Sequence, residues 1–496
     1  MKYILSIDQG TTGTRSCLIE LNSLNLVGQV SKEYPQIYPN PSWVEHNLND
    51  IWSTVDFTIR EVLKKCNVLP DQISGIGITN QRETTCAFDK KGNPLANAIV
   101  WQDRRTSDFC ADLITKGKGQ FIKEKTGLTV DPYFSATKMN WLLQNNEQVK
   151  VAKDKNNLCF GTIDSFLIFK LTDGASFKTD ASNASRTMLM NLSHCRWDPE
   201  LLDLFNIPLS ILPSIQDSFG SFGVTKNCGF LPDGIPITGV LGDQQAALLG
   251  QAGHVKGEMK CTYGTGAFVL LNTGSDLIYS KSGLLTTVLY KYKNETIYAL
   301  EGSSYIAGAA IQWLRDNLKI ISKSSDVEPL AREVKNTDEL KNILFFPFFS
   351  GMGSPYWNAE AKAAIVGLTR DSGNSHLAFA ALEGVALSIN DLLDAMKKDT
   401  NLPIETLKVD GGASANSLLM ELQATISQTK IIRPKILETT AYGAALASAL
   451  GAGLLSFSQI EATWKKDLEF EKSKTLKNYI EGKKILWDQY IKKMFT

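Results

Sequence analysis

Histidine is scarce, with four in 496 residues, too scattered to complete a zinc site. The eight cysteines are Cys17, Cys66, Cys86, Cys110, Cys159, Cys195, Cys228 and Cys261, and none stands in a C-x-x-C pair. They read as structural thiols, as in a reducing compartment. Net charge is missing as well: 52 basic residues face 52 acidic ones. Without a charge excess there is no long-range attraction to nucleic acid or to an anionic membrane, and neither is an expected partner. The opening apolar run, Tyr3 to Ile7, meets Asp8 too soon for a signal peptide, so the expected location is the cytoplasm. Ala441 to Phe457 is the most apolar long stretch, but it is built from Ala, Gly, Leu and Ser and opens after a polar loop. It reads as a close-packed buried helix, with a membrane span as the remote alternative. Asn183-Ala-Ser, Asn191-Leu-Ser and Asn294-Glu-Thr match the glycosylation pattern, as such short strings readily do by chance. No G-x-x-x-x-G-K-[ST] loop occurs, no H-R-D or D-F-G set, and no low-complexity linker.

What is present is a chain long enough for two or more domains. Tyr3 to Ile7 predicts a strand that ends in the turn Asp8-Gln-Gly-Thr-Thr-Gly-Thr14, with a return strand over 16–21. Ile73 to Thr79 predicts another. Thr85 to Phe88 and Leu95 to Val100 flank a loop of turn formers. Ile237 to Leu241 is a β-branched run that stops at Gly242-Asp243, and a helix is expected over 244–251. Met259 to Thr262 and Ala267 to Leu271 flank the tight turn Tyr263-Gly-Thr-Gly266. Leu407 to Val409 ends at Asp410-Gly411-Gly412, followed by apolar residues Ala415, Leu418, Leu419, Leu422 and Ile426 at helical spacing. Mixed strands and helices throughout predict an α/β protein. A strand, a Gly/Thr turn and a return strand occur near residue 10 and again near 264. A strand ending in Gly-Asp or Asp-Gly-Gly occurs near 243 and near 410. The two halves repeat one plan, and we place the boundary near residue 250, giving domains 1–250 and 251–496 that face each other across a cleft.

The two Gly/Thr turns suit a polyphosphate: glycine lets the backbone approach, N–H groups donate, and threonine hydroxyls add donors. Either alone is equally readable as an ordinary hairpin turn. Asp8 tilts the first turn toward function, because a carboxylate beside a phosphate loop calls for a cation between them. Asp243 reads as a helix cap or as a base that orients a hydroxyl toward a phosphoryl group. The adjacent Arg82 and Glu83 read as solvated loop charge or as the donor and acceptor that a polyol requires. Tryptophans and Phe268 offer apolar walls.

In these residues the chain resembles the FGGY carbohydrate kinases of the actin-like ATPase superfamily, and within them the glycerol-phosphorylating branch. The stretches that carry the resemblance include DQGTTGTR at 8–15, PQIYPNPSWVEH at 35–46, GITNQRETT at 77–85, NAIVWQDRRT at 97–106 and DPYFSATK at 131–138. They continue with NASRTML at 183–189, GDQQAAL at 242–248, TYGTGAF at 262–268, EGSSYIAGAAIQWLRD at 301–316, VDGGASAN at 409–416 and ETTAYGAA at 438–445. Each is short; their order and density make the match specific from Tyr3 to Gly453.

The resemblance implies two ribonuclease-H-like domains around a deep cleft, and ATP-dependent phosphorylation of glycerol to sn-glycerol 3-phosphate. A related kinase acting on another small polyol or ketose is the alternative. It implies that glycerol is held by Arg82, Glu83, Tyr133, Asp243 and Gln244, with Trp101 and Phe268 as walls and Asp243 as the catalytic base. Thr11, Thr12, Gly13 and Arg15 would hold nucleotide phosphates from one half, and Thr265, Gly308 and Gln312 from the other. Gly412 and Asn416 would lie beside the adenosine. Asp8, with Asp243, would act on Mg²⁺, through water. The implied assembly is a homodimer or larger. Two departures stand out. Many family members have Ser where this chain has Gly13. The segment KNCGFLPDGIP at 226–236 has neither an Arg nor a His, so control by fructose 1,6-bisphosphate or by His phosphorylation is not expected.

Overall fold

The computed structural model describes residues 2–474 and 476–495. Two mixed sheets organise the chain. The first has six strands: β1 (Tyr3–Gln9), β2 (Gly13–Glu20), β3 (Leu26–Glu33), β4 (Ile73–Asn80), β5 (Phe219–Val224) and β6 (Pro236–Gly242), in the order β5-β6-β4-β1-β2-β3. The second has seven: β7 (Met259–Tyr263), β8 (Ala267–Gly274), β9 (Leu285–Tyr292), β10 (Glu295–Ser304), β11 (Thr406–Asp410), β12 (Lys430–Pro434) and β13 (Lys466–Phe470), in the order β9-β10-β8-β7-β11-β12-β13. In each, an antiparallel meander (β1-β2-β3; β7-β8-β10) is extended by parallel strands beside its first member (β4 and β6; β11 and β12). The repeated plan read from the sequence is thus a duplicated sheet, and the two Gly/Thr turns are the same hairpin in each copy.

α1 (Leu48–Cys66) covers the outer face of the first sheet. Asn47 caps it, accepting from the Asn49 and Asp50 N–H groups, and Asn67 ends it in the left-handed region at φ 52°. Ile51, Val55, Ile59 and Val62 recur at helical spacing and are buried against Leu5, Ile7 and Leu18, each burial contributing about 1.5–3 kcal/mol. Thr54 and Thr58 hydrogen-bond Thr14 and Ser16 of β2, both at 2.8 Å, which fixes the strand that leaves the first turn.

Between the sheets lie two short-side-chain helices, α2 (Asp243–Gly250) and α6 (Thr439–Gly451). α6 follows a strand of the second sheet yet packs on β1, β4 and β6 of the first. The approach depends on glycine. A Cβ on Gly77, Gly239, Gly250 or Gly443 would collide with backbone of the facing element, Ala444, Ala447–Ser448, Thr439 and Ala246 respectively. The expected helix over 441–457 is corrected in one respect: it ends at Gly451, and a separate helix begins at Phe457. Among the described residues, one helix is long and apolar enough to cross a membrane, α4 (Asn374–Thr400), and 83% of its most apolar stretch is buried inside the protein as the core of the second half.

Other expectations shift at element edges. Leu95–Val100 contributes only the two-residue strand Ala98–Ile99. The helix after β11, α5 (Ser417–Ser427), starts six residues past Gly411, with Ala415 in a preceding 3₁₀ turn. All eight cysteines are free thiols. Asn183 is fully buried and hydrogen-bonded to Asn80 and Asp180, so no glycan fits there.

The C-terminal helix α7 (Lys477–Met494) packs on the second half: Trp487 stacks on Phe346 at 4.6 Å, and Lys483 pairs with Glu383 at 2.9 Å, both buried. The Trp487 indole N–H and the Tyr356 hydroxyl both donate to Oδ2 of half-buried Asp391, at 2.9 and 3.1 Å. Burial pushes the Asp391 carboxyl up to about 7, against those two bonds. A carboxyl raised in the folded state stabilises below its unfolded pKa, and that contribution disappears as pH rises to about 7. Asp391→Asn keeps one oxygen for both donors and carries no charge. We expect it to match the wild type in chemical denaturation at pH 4 and to exceed it by about 1–3 kcal/mol at pH 8. A variant less stable than wild type at pH 8 would contradict this.

Candidate active site

The turn between β1 and β2 is closed by Gly10 N–H donating to the Gly13 carbonyl at 2.9 Å. Its carbonyls are held from below, Gly10 and Thr11 accepting from the Tyr34 hydroxyl at 2.6 and 2.9 Å and Thr11 from Gln36 at 3.1 Å. Thr11 is partly exposed and Thr12 exposed. The counterpart turn is closed by Gly264 N–H to the Gly266 carbonyl at 2.9 Å, with Thr265 exposed. The first turn of α3 (Gly308–Asp316) docks on it: Ala307 and Ala309 donate to the Thr265 carbonyl, and Gly308 donates to that of Gly264 at 2.9 Å. A Cβ on Gly308 would stand 2.7 Å from the Gly264 carbonyl oxygen, so only glycine allows this approach. Gln312 is exposed one turn further along α3. Gly412 opens on free space, as a flat ring beside it requires, whereas the Asn416 side-chain oxygen caps α5 by accepting from Leu419 N–H at 2.8 Å. At Gly13 a Cβ would come within 2.7 Å of the Lys32 carbonyl oxygen, so this backbone accepts glycine and resists the serine of many family members. Arg15 projects from β2 toward α6, where it pairs with Glu438 and donates to Ser31 at 2.9 Å. It is thus not gathered into the turn with Thr11 and Thr12.

Arg82 and Glu83 follow β4 and are buried; solvated loop charge is excluded. Glu83 adopts φ 61°, a left-handed conformation that a non-glycine residue holds only when its surroundings impose it. They do: its carbonyl accepts from Ser135 at 2.9 Å, and its carboxylate from Arg186 Nε at 2.6 Å. Arg82 Nε lies 3.1 Å from Asp243 Oδ1, and its two terminal nitrogens lie 2.5 and 3.1 Å from the two oxygens of Glu301. Arg186 reaches Glu301 too, at 2.9 Å, while its buried Nη1 has no partner among the described residues. Burial pushes the Glu301 carboxyl up, but Arg186 and Arg82 outweigh it and hold the group below the ordinary range. Burial raises the Glu83 carboxyl, with Arg186 and Arg82 pulling back.

Asp243 is the first residue of α2, whose cap is Gly242, so the reading as N-cap is corrected; its Oδ1 accepts from Gln244 N–H at 2.7 Å. The Asp243 side chain remains 29% exposed while its partner Arg82 is 2% exposed, which leaves the carboxylate partly open to solvent. Gln244 is buried and accepts from Lys260, which also donates to Thr262 at 2.6 Å. Trp101 lies edge-on to Tyr133 at 5.6 Å and to Phe268 at 6.2 Å, and its indole N–H donates to the Thr11 hydroxyl at 3.0 Å. That last bond joins the aromatic wall to the first turn. Asp8 is adjacent: burial raises its carboxyl to about 7, Arg15 pulling down and the charge of Asp243 pushing up. Two carboxylates so placed are hard oxygen donors that repel each other until a cation intervenes. Among the described residues no group of three or more metal-ligating side chains occurs, so a cation here would complete its shell with water and phosphate oxygens, the habit of Mg²⁺.

Glu301, Arg186 and Lys260 were not identified from sequence as site residues, although Glu301 and Arg186 lie in recognisable stretches. A Glu inside the apolar strand run Ile297–Glu301 was the available signal.

The site combines paired Gly/Thr turns with a buried Arg-Glu pair and a partly exposed aspartate. The description "FGGY family of carbohydrate kinases, N-terminal domain" matches residues 3–250, and its C-terminal counterpart matches 259–452. The chain belongs to the FGGY family of carbohydrate kinases, with that family's two-domain fold. More particularly, it is 50% identical over 479 residues to a glycerol kinase of Bdellovibrio bacteriovorus, covering 96% of each chain. It superposes with a TM-score of 0.91 on the glycerol kinase of Plasmodium falciparum solved with ADP, at 36% identity and covering 100% and 99% of the two chains. The xylulose kinase of Lactobacillus acidophilus gives 0.88 at 23% identity, covering 99% and 97%, which is a likeness of fold.

Proposed function

We propose that this protein transfers the γ-phosphoryl group of ATP to a terminal hydroxyl of glycerol, giving sn-glycerol 3-phosphate and ADP. The observation that carries the reading is the buried, oppositely charged pair Arg82 and Glu83 beside Asp243, under the Trp101, Tyr133 and Phe268 wall. Each glycerol hydroxyl both donates and accepts, and such a pair answers both needs in a small volume. Half-identity to a curated glycerol kinase supports the same acceptor.

In this mechanism Arg82 donates to glycerol hydroxyls, Glu83 accepts from them, Tyr133 and Gln244 complete the polar contacts, and the aromatic wall covers the CH faces. Asp243 orients the attacking hydroxyl and takes its proton as the oxygen bonds to the γ-phosphorus and the bond to the ADP oxygen breaks. A carboxylate is a weak base at neutral pH, so orientation is its larger contribution. Thr11, Thr12 and the backbone at Gly13 hold phosphates from one half; Thr265, Gly308 and Gln312 hold them from the other; Gly412 and Asn416 flank the adenosine. Arg15 joins the phosphates by leaving Glu438. Asp8 and Asp243 would hold Mg²⁺ through water, and bound there the ion supplies charge neutralisation to the phosphate oxygens. We read the halves as domains 1–250 and 251–496, with phosphate donors from both, so closure excludes water from the reacting phosphoryl group. A homodimer or larger assembly in the cytoplasm completes the proposal.

The test is ADP release with Mg-ATP against glycerol, dihydroxyacetone, erythritol, xylulose and no acceptor. Glycerol should give the highest kcat/KM; a preference for another acceptor, or release indifferent to all of them, would refute the reading. Within the same assay, Arg82→Ala should raise the glycerol KM by roughly 10- to 100-fold, the value of a hydrogen bond to a charged group, with the ATP KM little changed. An unchanged glycerol KM would remove Arg82 from the pocket.

A further inference from the structure

Resting on that reading, we propose that Glu301 and Arg186 are positioning residues for glycerol recognition. They fix the two side chains proposed to meet the substrate hydroxyls, Arg82 and Glu83. The four charges form a closed circuit of buried groups. Glu301 grips Arg82 with both oxygens and reaches Arg186 at 2.9 Å; Arg186 grips Glu83 at 2.6 Å; Arg82 Nε and Glu83 stand 4.0 Å apart. Every member is essentially inaccessible to solvent.

Long charged side chains lose rotamer freedom when they bind a ligand, and groups already held in place avoid that loss. Arg82 has two of its three nitrogens fixed by Glu301, which leaves Nε directed at Asp243. Arg186 in turn is held by packing, its guanidinium 5.5 Å from the Tyr133 ring and 5.4 Å from the Phe134 ring. The circuit also spans the protein. Arg82, Glu83 and Arg186 come from the first half, whereas Glu301 belongs to β10, which pairs directly with β8, the strand that leaves the second phosphate turn and bears Phe268. The acceptor pocket is therefore aligned by a carboxylate from the same sheet that presents the second phosphate turn. A purely structural circuit would stabilise the fold without singling out one substrate. A positioning circuit affects glycerol binding ahead of ATP binding.

The experiment measures glycerol KM, ATP KM, kcat and thermal unfolding for the full-length wild type, Glu301→Gln, Glu301→Asp and Arg186→Lys. Glu301→Gln keeps the side-chain volume and loses the charge; we expect the glycerol KM to rise roughly 10- to 100-fold, as for loss of a charge-assisted hydrogen bond, with the ATP KM and kcat at saturating glycerol within about threefold. Glu301→Asp keeps the charge on a stem one methylene shorter and should fall between wild type and Glu301→Gln. Arg186→Lys keeps the charge but loses the fork that spans two carboxylates, and should also raise the glycerol KM. Folded variants with an unchanged glycerol KM would overturn the proposal, as would equal increases in both KM values. Failure of all three variants to fold would overturn it too, assigning the circuit to the fold. No turnover of glycerol by the wild type would instead strike the proposed function itself, before any variant is compared.

Discussion

Asp243→Asn should lower kcat by roughly 10²–10⁴-fold, the range for loss of a positioned proton acceptor, while the protein still folds and binds both substrates. The geometry makes this substitution a clean one. Asp243 Oδ1 accepts from Gln244 N–H at 2.7 Å and lies 3.1 Å from Arg82 Nε, and an asparagine oxygen accepts from both in the same way. What it cannot do is hold the attacking hydroxyl in line through a charge-assisted hydrogen bond, take its proton, or oppose a cation with negative charge. Steady-state kinetics with Mg-ATP and glycerol separates the effects: KM values near wild type with a collapsed kcat are expected, and near-normal turnover would contradict the role given to Asp243.

The second large effect concerns the contact between the halves. Gly443 of α6 faces the Ala246 carbonyl of α2 so closely that a Cβ has no room, and the obstacle is backbone on both sides. Rotamer changes cannot relieve a clash between two backbones. Gly443→Val should therefore destabilise by about 3 kcal/mol or more and displace α6 from the first sheet. Gly482 of α7 is the internal control, since a Cβ there meets nothing within 4 Å. Gly482→Ala should leave stability unchanged or raise it by up to about 1 kcal/mol through helix propensity. Equal thermal stability of the Gly443 variant and wild type would refute the account of the helix pair.

These two residues mark what could be read from sequence and what could not. Asp243 was legible because its setting is local: a β-branched run, a glycine, then a helix. The turns at 10–14 and 263–266 were legible for the same reason, and their repetition indicated a duplicated fold. Gly443 was legible only as one small residue in a run of them; that it faces Ala246 depends on α6 crossing from the second sheet to the first. Glu301 and Arg186 were hidden by distance, since their partnership spans 115 residues and that of Glu301 with Arg82 spans 219. Local patterning reveals that a strand holds a glutamate but not which guanidinium neutralises it. The pairing of Arg15 with Glu438 was hidden in the same way, across 423 residues.

The most direct measurement is ³¹P NMR of the products formed from Mg-ATP with equal concentrations of glycerol and erythritol. The account predicts ADP together with a single new phosphomonoester that co-resonates with authentic sn-glycerol 3-phosphate. Inorganic phosphate as the sole new signal, or phosphorylation of erythritol in preference to glycerol, would contradict it.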